Sequence, residues 1–143
     1  MPDYMLPEHS TPLARGIDKT LDALRKVAEF ASNVPITLSV SGGIMTGMLI
    51  SGQKYFEQIA DRMERAQHSK GTNATVVDIV EGWRALAREL GSLPPAEEAS
   101  QDSDYLHIEG AKIISGAKTF PADGMLWRVR ISDVSGWSIG AYG

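Results

Sequence analysis

Cysteine is absent from the 143 residues of this sequence. Disulfides, cysteine-ligated zinc, thiol nucleophiles and thiol redox chemistry are therefore excluded. Long apolar runs are also absent, because none approaches the roughly 20 residues that a transmembrane helix requires. The opening residues, MPDYMLPEHSTP, have neither the basic nor the apolar region of a secretory signal. These absences predict a cytoplasmic protein.

A strong charge of one sign is missing as well. The net charge is −4 at pH 7, so the chain has no general electrostatic attraction for nucleic acid or for an anionic membrane. We therefore expect no membrane partner and no nucleic acid as the main partner. The apolar fraction of 43% and the charged fraction of 22% are those of a globular protein. The length of 143 residues predicts a single domain, over residues 11–143. Residues 1–10 contain two prolines and little pattern, which predicts a flexible arm.

Histidines are few and dispersed, and the usual catalytic motifs are absent. His9 lies in the arm, His68 at a helix junction and His107 on a strand, whereas a metal site needs converging ligands. Only His107 and Glu109, neighbours on one strand face, could have a metal-binding or acid–base role, and a surface position is the favoured interpretation. Ser41-Gly42-Gly43 opens a strand rather than a helix, which favours a turn over a phosphate loop. We expect no enzyme activity, no catalytic residue, no metal and no cofactor.

The clearest local pattern is a β-hairpin within residues 36–55. Apolar and polar residues alternate with a period of two on both sides of Gly42-Gly43. Glycine supplies the positive φ that a tight hairpin turn needs. The second strand, which begins at Ile44, has apolar residues of both parities, and this predicts that both of its faces are covered.

Three segments carry apolar residues at helical spacing. The first begins at Thr11-Pro12 and ends near Asn33. The second and third form a helical insertion at about 55–92, in which Thr75–Asp78 resembles a capping box and Gly91 a helix end. An acidic loop follows at 94–104, and a solvated loop is the favoured interpretation of it.

Strands resume at Tyr105 and continue to about Tyr142, with a predicted loop from Gly116 to Gly124. The summed pattern predicts an α+β fold with an N-terminal helix and an inserted helical pair. Its sheet is either small, strongly bent and antiparallel, or closed into an Sm-like barrel. Shared parity within the strands predicts these buried residues: Leu38, Val40, Leu49, Ile108, Trp127 and Val129.

Two groups of residues are candidates for interaction. Trp127 lies on one strand face and Arg128 and Arg130 on the other. Such a strand could bind single-stranded nucleic acid, but the favoured interpretation is a half-buried strand whose arginines pair with Asp133 or Glu109.

The second group lies in the last strand, 134–142, which we expect to be a sheet edge. Trp137 and Tyr142 are available as aromatic anchors at this edge and could support self-association. The alternative is a monomer with Trp137 in its own core.

The hairpin, with Gly47-Met48-Leu49 in its second strand, resembles the first half of an Sm-like small barrel. Residues 106–115 and 126–139 resemble the second half. The stretches that correspond to the Sm-type RNA contacts read Ser51–Lys54 and Arg128–Arg130. The RNA-contact pattern is therefore absent, and an Sm-like nucleic-acid-binding module is the alternative function.

Three blocks carry a closer resemblance: ITLSVSGGIMTGMLISGQKYFE, LHIEGAKIIS and LWRVRISDVSGWSIGAY. In this order they resemble the gas-vesicle accessory protein U family. The resemblance implies a non-enzymatic, cytoplasmic protein that is associated with gas vesicles. It also implies a role in vesicle assembly or clustering. Our hypothesis for that role is an interaction protein that self-associates as a homo-oligomer, through an exposed strand edge, and contacts gas-vesicle shell proteins.

Overall fold

The computed structural model describes residues 18–30, 33–68, 73–92 and 104–142. Within them the chain has the predicted α+β composition, with a helix before the first hairpin and a helical pair between the hairpin and the later strands. The elements are α1 (Lys19–Phe30), β1 (Val34–Val40), β2 (Gly43–Ile50), α2 (Gly52–His68), α3 (Ala74–Gly91), β3 (Tyr105–Ser115), β4 (Lys118–Arg130), a 3-10 turn (Ile131–Asp133) and β5 (Val134–Ile139).

Several predicted segments lie outside the described residues. They are the arm at 1–10, the first part of the N-terminal helix at 11–17, and all of the acidic loop at 94–104 except Asp104. The assignment of these segments, and of a single domain over 11–143, stays a prediction.

The predicted hairpin is confirmed. β1 and β2 pair antiparallel from Val34 opposite Leu49 to Val40 opposite Gly43. The two turn residues are Ser41 and Gly42, with φ values of 50° and 81°. Positive φ at both positions belongs to a type I′ turn, whose twist matches that of the strands. The turn therefore lies one residue earlier than Gly42-Gly43.

All neighbouring strands pair antiparallel, in the order β4-β3-β2-β1-β5. Within the described ranges β4 and β5 are the two edges and do not pair with each other, so the sheet is open. The structure therefore gives the bent-sheet alternative and not a closed Sm-like barrel. The first strand is not an edge, because β5 returns to pair along its outer side.

Bulges and close glycine contacts bend the middle of the sheet. The register shifts between Thr46 and Met48 on β2 and again beside Gly110 on β3. A Cβ on Gly47 would lie 2.6 Å from Ile108 Cγ2, and one on Gly124 would lie 2.6 Å from the Gly110 backbone. Glycine therefore permits backbone approaches that a side chain would block.

The predicted loop from Gly116 to Gly124 is wrong. Only Gly116 and Ala117 form the turn, and β4 already begins at Lys118. Gly124 does not form a turn but allows the backbone of β4 to approach β3 closely. Pro121 is tolerated because β4 is an edge strand.

The main core lies between α1 and one face of the sheet. Leu21 and Ala28 of α1 join a cluster that includes Ile36, Leu38 and Leu49. The other face of β2 is covered too, since Thr46 and Ile50 are buried, as predicted. Of the predicted core residues, these are confirmed as buried: Leu38, Leu49, Ile108 and Val129.

Two predicted core residues differ. Val40 is half-buried at the hairpin end and packs against the core. Trp127 was predicted to be buried but is 39% exposed. It is opposite Ile108, on the core face of the sheet. However, β4 is an edge, so no further strand covers the outer flank of this large ring.

The helices α2 and α3 pack against each other beyond the sheet. Val80 and Ala87 of α3 are buried, and Arg84 pairs with Asp61 and Glu64 of α2. Asn73 caps α3, because its side chain accepts from the N–H groups of Thr75 and Val76. The predicted capping box at Thr75 is therefore wrong, and the helix begins at Ala74.

Candidate interaction surfaces

The first candidate is the β5 edge surface, which consists of Trp137 and Ile139, and the predicted anchor Tyr142 follows this strand in the chain. β5 pairs with β1 on one side, through Ile36 opposite Ile139 and Leu38 opposite Trp137. Its other side has no strand among the described residues. Ile139 is 57% exposed and Tyr142 is 58% exposed. The apolar side chain of Ile139 therefore lies beside main-chain groups that have no strand partner among the described residues.

The chain beyond β5 crosses the sheet instead of extending the strand to Tyr142. Gly140 N donates to Pro35 O at 2.8 Å, and its carbonyl accepts from Thr37 Oγ1 at 2.8 Å. Tyr142 N then donates to Thr46 Oγ1 at 2.7 Å. These bonds hold the Tyr142 backbone in place while its side chain stays exposed.

Part of the Trp137 side chain makes contacts within the protein's own fold. It is half-buried against the core, and its indole N–H donates to Asp18 Oδ2 at 2.9 Å. Asp18 Oδ1 also accepts from the N–H groups of Thr20 and Leu21, both at 3.0 Å. The pKa of Asp18 is lowered, first by the Leu21 N–H and then by Trp137. The predicted alternative, Trp137 as part of its own core, therefore describes much of this side chain.

The second candidate is the arginine cluster, which consists of Tyr105, His107, Arg128 and Arg130. The register places His107 opposite Arg128 and Tyr105 opposite Arg130, so all four share one face of the sheet. The Arg128 guanidinium carbon lies 3.8 Å from the centre of the Tyr105 ring. Arg128 Nε also donates to His107 Nε2 at 3.2 Å. Stacking and this bond hold Arg128 in one orientation.

Arg130 is held differently. A side-chain hydrogen bond to Tyr105 is the largest cause of its raised pKa, followed by the charge of Tyr105 and then by that of Asp133. The predicted pairing of an arginine with Asp133 thus has support for Arg130. Glu109 is engaged elsewhere, since it accepts from Asn33 and Gln58, each at 2.7 Å.

His107 has a structural rather than a catalytic environment. It is 6% exposed, so the predicted surface position is wrong, and its ring lies 4.7 Å, centre to centre, from the Tyr55 ring. Burial first, and then the charges of Arg128 and Arg25, lower the pKa of His107 to about 4. Burial likewise raises the pKa of Tyr55. A neutral His107 accepts the bond from Arg128, so it is unavailable as a base toward Glu109.

The arginine cluster contains one residue that the sequence interpretation missed. Tyr105 provides the stacking surface for Arg128 and the acceptor for Arg130. Its parity with His107, two residues later, was a usable signal. The pairing of Tyr105 with Arg130 could not be predicted from the sequence, because this pairing depends on the register between β3 and β4.

Comparison with known protein families gives a match to "Gas vesicle protein GvpU-like" over residues 18–142. This chain belongs to that family. The predicted resemblance is confirmed, and both candidate surfaces of this GvpU-like chain lie within the matched segment. Comparisons with curated proteins and with solved structures give no match.

The described part of the GvpU-like chain offers no group of three or more potential metal ligands. An open cleft of about 340 Å³ beside Tyr142 contains Arg62 and Lys112 together with Glu109 and Asp123. Its formal charges cancel. Among the described helices, none is long and apolar enough to cross a membrane.

Proposed function

We propose that this chain is a non-enzymatic accessory protein that takes part in the assembly or clustering of gas vesicles. Membership of the GvpU-like family supports the link to gas vesicles. The observation that carries the mechanism is the β5 edge surface, where a strand edge with no partner strand among the described residues lies beside exposed Ile139.

Self-association through β5 has a simple physical basis. A second copy can align its own β5 antiparallel to the first about a two-fold axis, and each strand then satisfies the open main-chain groups of the other. The exposed Ile139 side chain is removed from water in the same step, which adds apolar stabilisation. The net charge of −4 is modest, and physiological salt screens repulsion between copies over about 8 Å.

Self-association also supplies a route to clustering. Each copy in an oligomer keeps its other surfaces, so an oligomer presents at least two equivalent sites for a shell protein. Two sites on one particle can hold two vesicles together, and each further contact is then favoured by a high effective concentration. A monomer with the same shell affinity would coat vesicles without joining them.

Sedimentation equilibrium at several protein concentrations tests the association step. We expect the wild-type chain to associate and Ile139→Lys to shift the equilibrium toward monomer. Ile44→Lys is the matched control, because Ile44 is also exposed, at 37%, but lies at the β1–β2 hairpin. A wild-type chain that stays monomeric at high micromolar concentration would refute self-association.

Purified gas vesicles test the second step. Vesicle binding and vesicle clustering are measured separately, by co-purification and by light scattering. We expect Ile139→Lys to bind vesicles but to cluster them poorly. Equal clustering by Ile139→Lys and wild type would contradict the proposed mechanism.

The Sm-like nucleic-acid alternative has no comparable support. Trp127 lies on the opposite face of β4 from Arg128 and Arg130. A base stacked on Trp127 would therefore not bring its phosphate to either arginine. The Tyr105 ring, which does share their face, already has the Arg128 guanidinium over it.

A further inference from the structure

β4 is the second edge of the sheet, at the opposite end from β5, and no described strand pairs with its outer side. We propose that the end of β4, residues 126–130, binds an extended acidic segment of a partner protein as an added strand. The segment would carry carboxylates at alternate positions with an apolar residue between them. This site is separate from the β5 edge surface, and it goes beyond the proposed self-association.

The alternation along β4 defines this pattern. Arg128 and Arg130 are two residues apart and exposed on one face, while Trp127 is exposed on the other. The two arginines are spaced by roughly 7 Å along the strand. An added strand has the same period, so its residues at positions i and i+2 lie on the same face of the sheet as the arginines. Its residue i+1 lies on the face of Trp127.

Arg128 is the principal contact for a carboxylate. Its Nε bonds His107 and its guanidinium is stacked on Tyr105, with Phe56 at 5.9 Å. No carboxylate of the described residues forms an ion pair with it. The terminal Nη groups are thus held in a fixed plane, which suits bidentate binding of a carboxylate.

Arg130 adds a second, weaker contact. Its side chain bonds Tyr105, and the charges of Asp133 and Asp104 already act on it. These carboxylates partly satisfy Arg130, whereas Arg128 forms no ion pair with a carboxylate in the part of the chain that the structure describes. The site therefore favours at least one acidic side chain opposite Arg128, and it gains less from the one opposite Arg130.

The strand edge favours a peptide over a nucleic acid. A peptide strand can pair with the open main-chain groups of β4, and this contact has no counterpart in a phosphate backbone. The separation of Trp127 from the arginines suits a strand, whose side chains alternate between faces. It does not suit a nucleic acid, which needs bases and phosphates to be contacted from one side.

Fluorescence anisotropy with labelled peptides tests the proposal. The probe is Thr-Glu-Val-Glu-Thr with blocked ends. One control peptide replaces both glutamates with glutamine, and a second replaces valine with proline, which removes a main-chain donor. A single-stranded oligonucleotide is the competing probe. We expect binding of the glutamate peptide and much weaker binding of the other three.

Matched variants locate the site. Arg128→Gln should weaken the binding of the glutamate peptide about tenfold, the usual effect of losing a charged hydrogen-bond pair. Arg130→Gln should weaken it less. Lys118→Gln is the control, because it removes one positive charge from the other end of the same strand, opposite Ser115. Thermal melts verify that each variant is folded.

Amide chemical shifts separate this proposal from the β5 mechanism. Addition of the glutamate peptide should shift the amide signals of residues 126–130 and leave those of 134–139 unchanged. Three results would overturn the proposal: no binding of the glutamate peptide at millimolar concentration, equal binding by Arg128→Gln and wild type, or tighter binding of the oligonucleotide. None of these three results bears on self-association through β5, because the oligomeric state of Ile139→Lys tests that proposal separately.

Discussion

The indole N–H of Trp137 donates to the carboxylate of Asp18 across a 2.9 Å hydrogen bond. The two residues are 119 positions apart. The bond connects the edge strand β5 to the start of α1, whose first N–H groups are bound by the same carboxylate. One side chain therefore stabilises a helix end and an edge strand together.

Loss of the Asp18 carboxylate should lower the melting temperature. Asp18→Ala removes the α1 cap and the acceptor for Trp137, whereas Asp18→Asn keeps a side-chain oxygen that can cap the helix. We expect the alanine variant to melt below the asparagine variant in thermal denaturation. Asp123→Ala, at an exposed position on β4, is the control. Identical melting of Asp18→Ala and wild type would contradict the shared role.

Truncation of the central core should be costly. Leu49 is 0% exposed, so Leu49→Ala should lower the free energy of unfolding by about 2–5 kcal/mol through lost apolar contact and a residual cavity. Urea denaturation measures the change. Leu86→Ala on α3 is the comparison, since Leu86 is 37% exposed, and it should cost much less. A change of similar size in both variants would argue against the assigned core.

Acidification should destabilise the chain through His107. Its pKa is about 4 in the folded chain against 6.5 for the free side chain, so between these values the unfolded chain binds a proton that the folded chain does not. Stability is therefore fully present above about pH 7 and falls as the pH drops toward 4. The difference between the two pKa values corresponds to a loss of at most roughly 3 kcal/mol in the free energy of unfolding.

The environment of His107 supports this sign. Arg25 of α1 and Arg128 of β4 act on it with positive charge, and Tyr55 of α2 packs against it. Urea denaturation of wild type and His107→Gln at several pH values isolates the effect, because all other titrating groups are shared. A parallel pH dependence in the two proteins would show that His107 does not contribute.

The bend in the sheet should not tolerate a side chain at Gly47. Its Cβ would approach Ile108 Cγ2 to 2.6 Å and Glu109 O to 3.0 Å, so Gly47→Ala should cost about 1–3 kcal/mol of unfolding free energy. Gly136→Ala is the matched control, because nothing lies within 4 Å of its Cβ position. Chemical denaturation compares them. Equal stability of the two variants would contradict the close approach of β2 and β3.

Much of the fold could be predicted from local patterns. The period-two stretch around Gly42 indicated the hairpin, and the stripes containing Val80 and Ala87 indicated α3. These features depend on neighbours in sequence, so spacing alone reveals them. The wrong predictions concern residue types that can have two structural roles. Gly124 was interpreted as a turn residue, but it permits a backbone contact with Gly110.

The candidate surfaces were only partly predictable. Alternation placed Arg128 and Arg130 on one face and Trp127 on the other, and the structure agrees. However, parity does not reveal which strand is an edge. Trp127 was therefore expected in the core, while the stacking of Arg128 on Tyr105 was not foreseen.

By itself, the sequence determined the helix–hairpin–helical pair–strand order and the membership of a gas vesicle family, because periodicity, turn residues and long sequence blocks are all local properties of the chain. Only the tertiary structure decided that the sheet stays open with β4 and β5 as its edges. Strand order depends on hydrogen bonds between segments far apart in sequence, such as Leu38 with Trp137. Those pairings decide which main-chain groups are left unpaired, and so which surfaces can accept a partner.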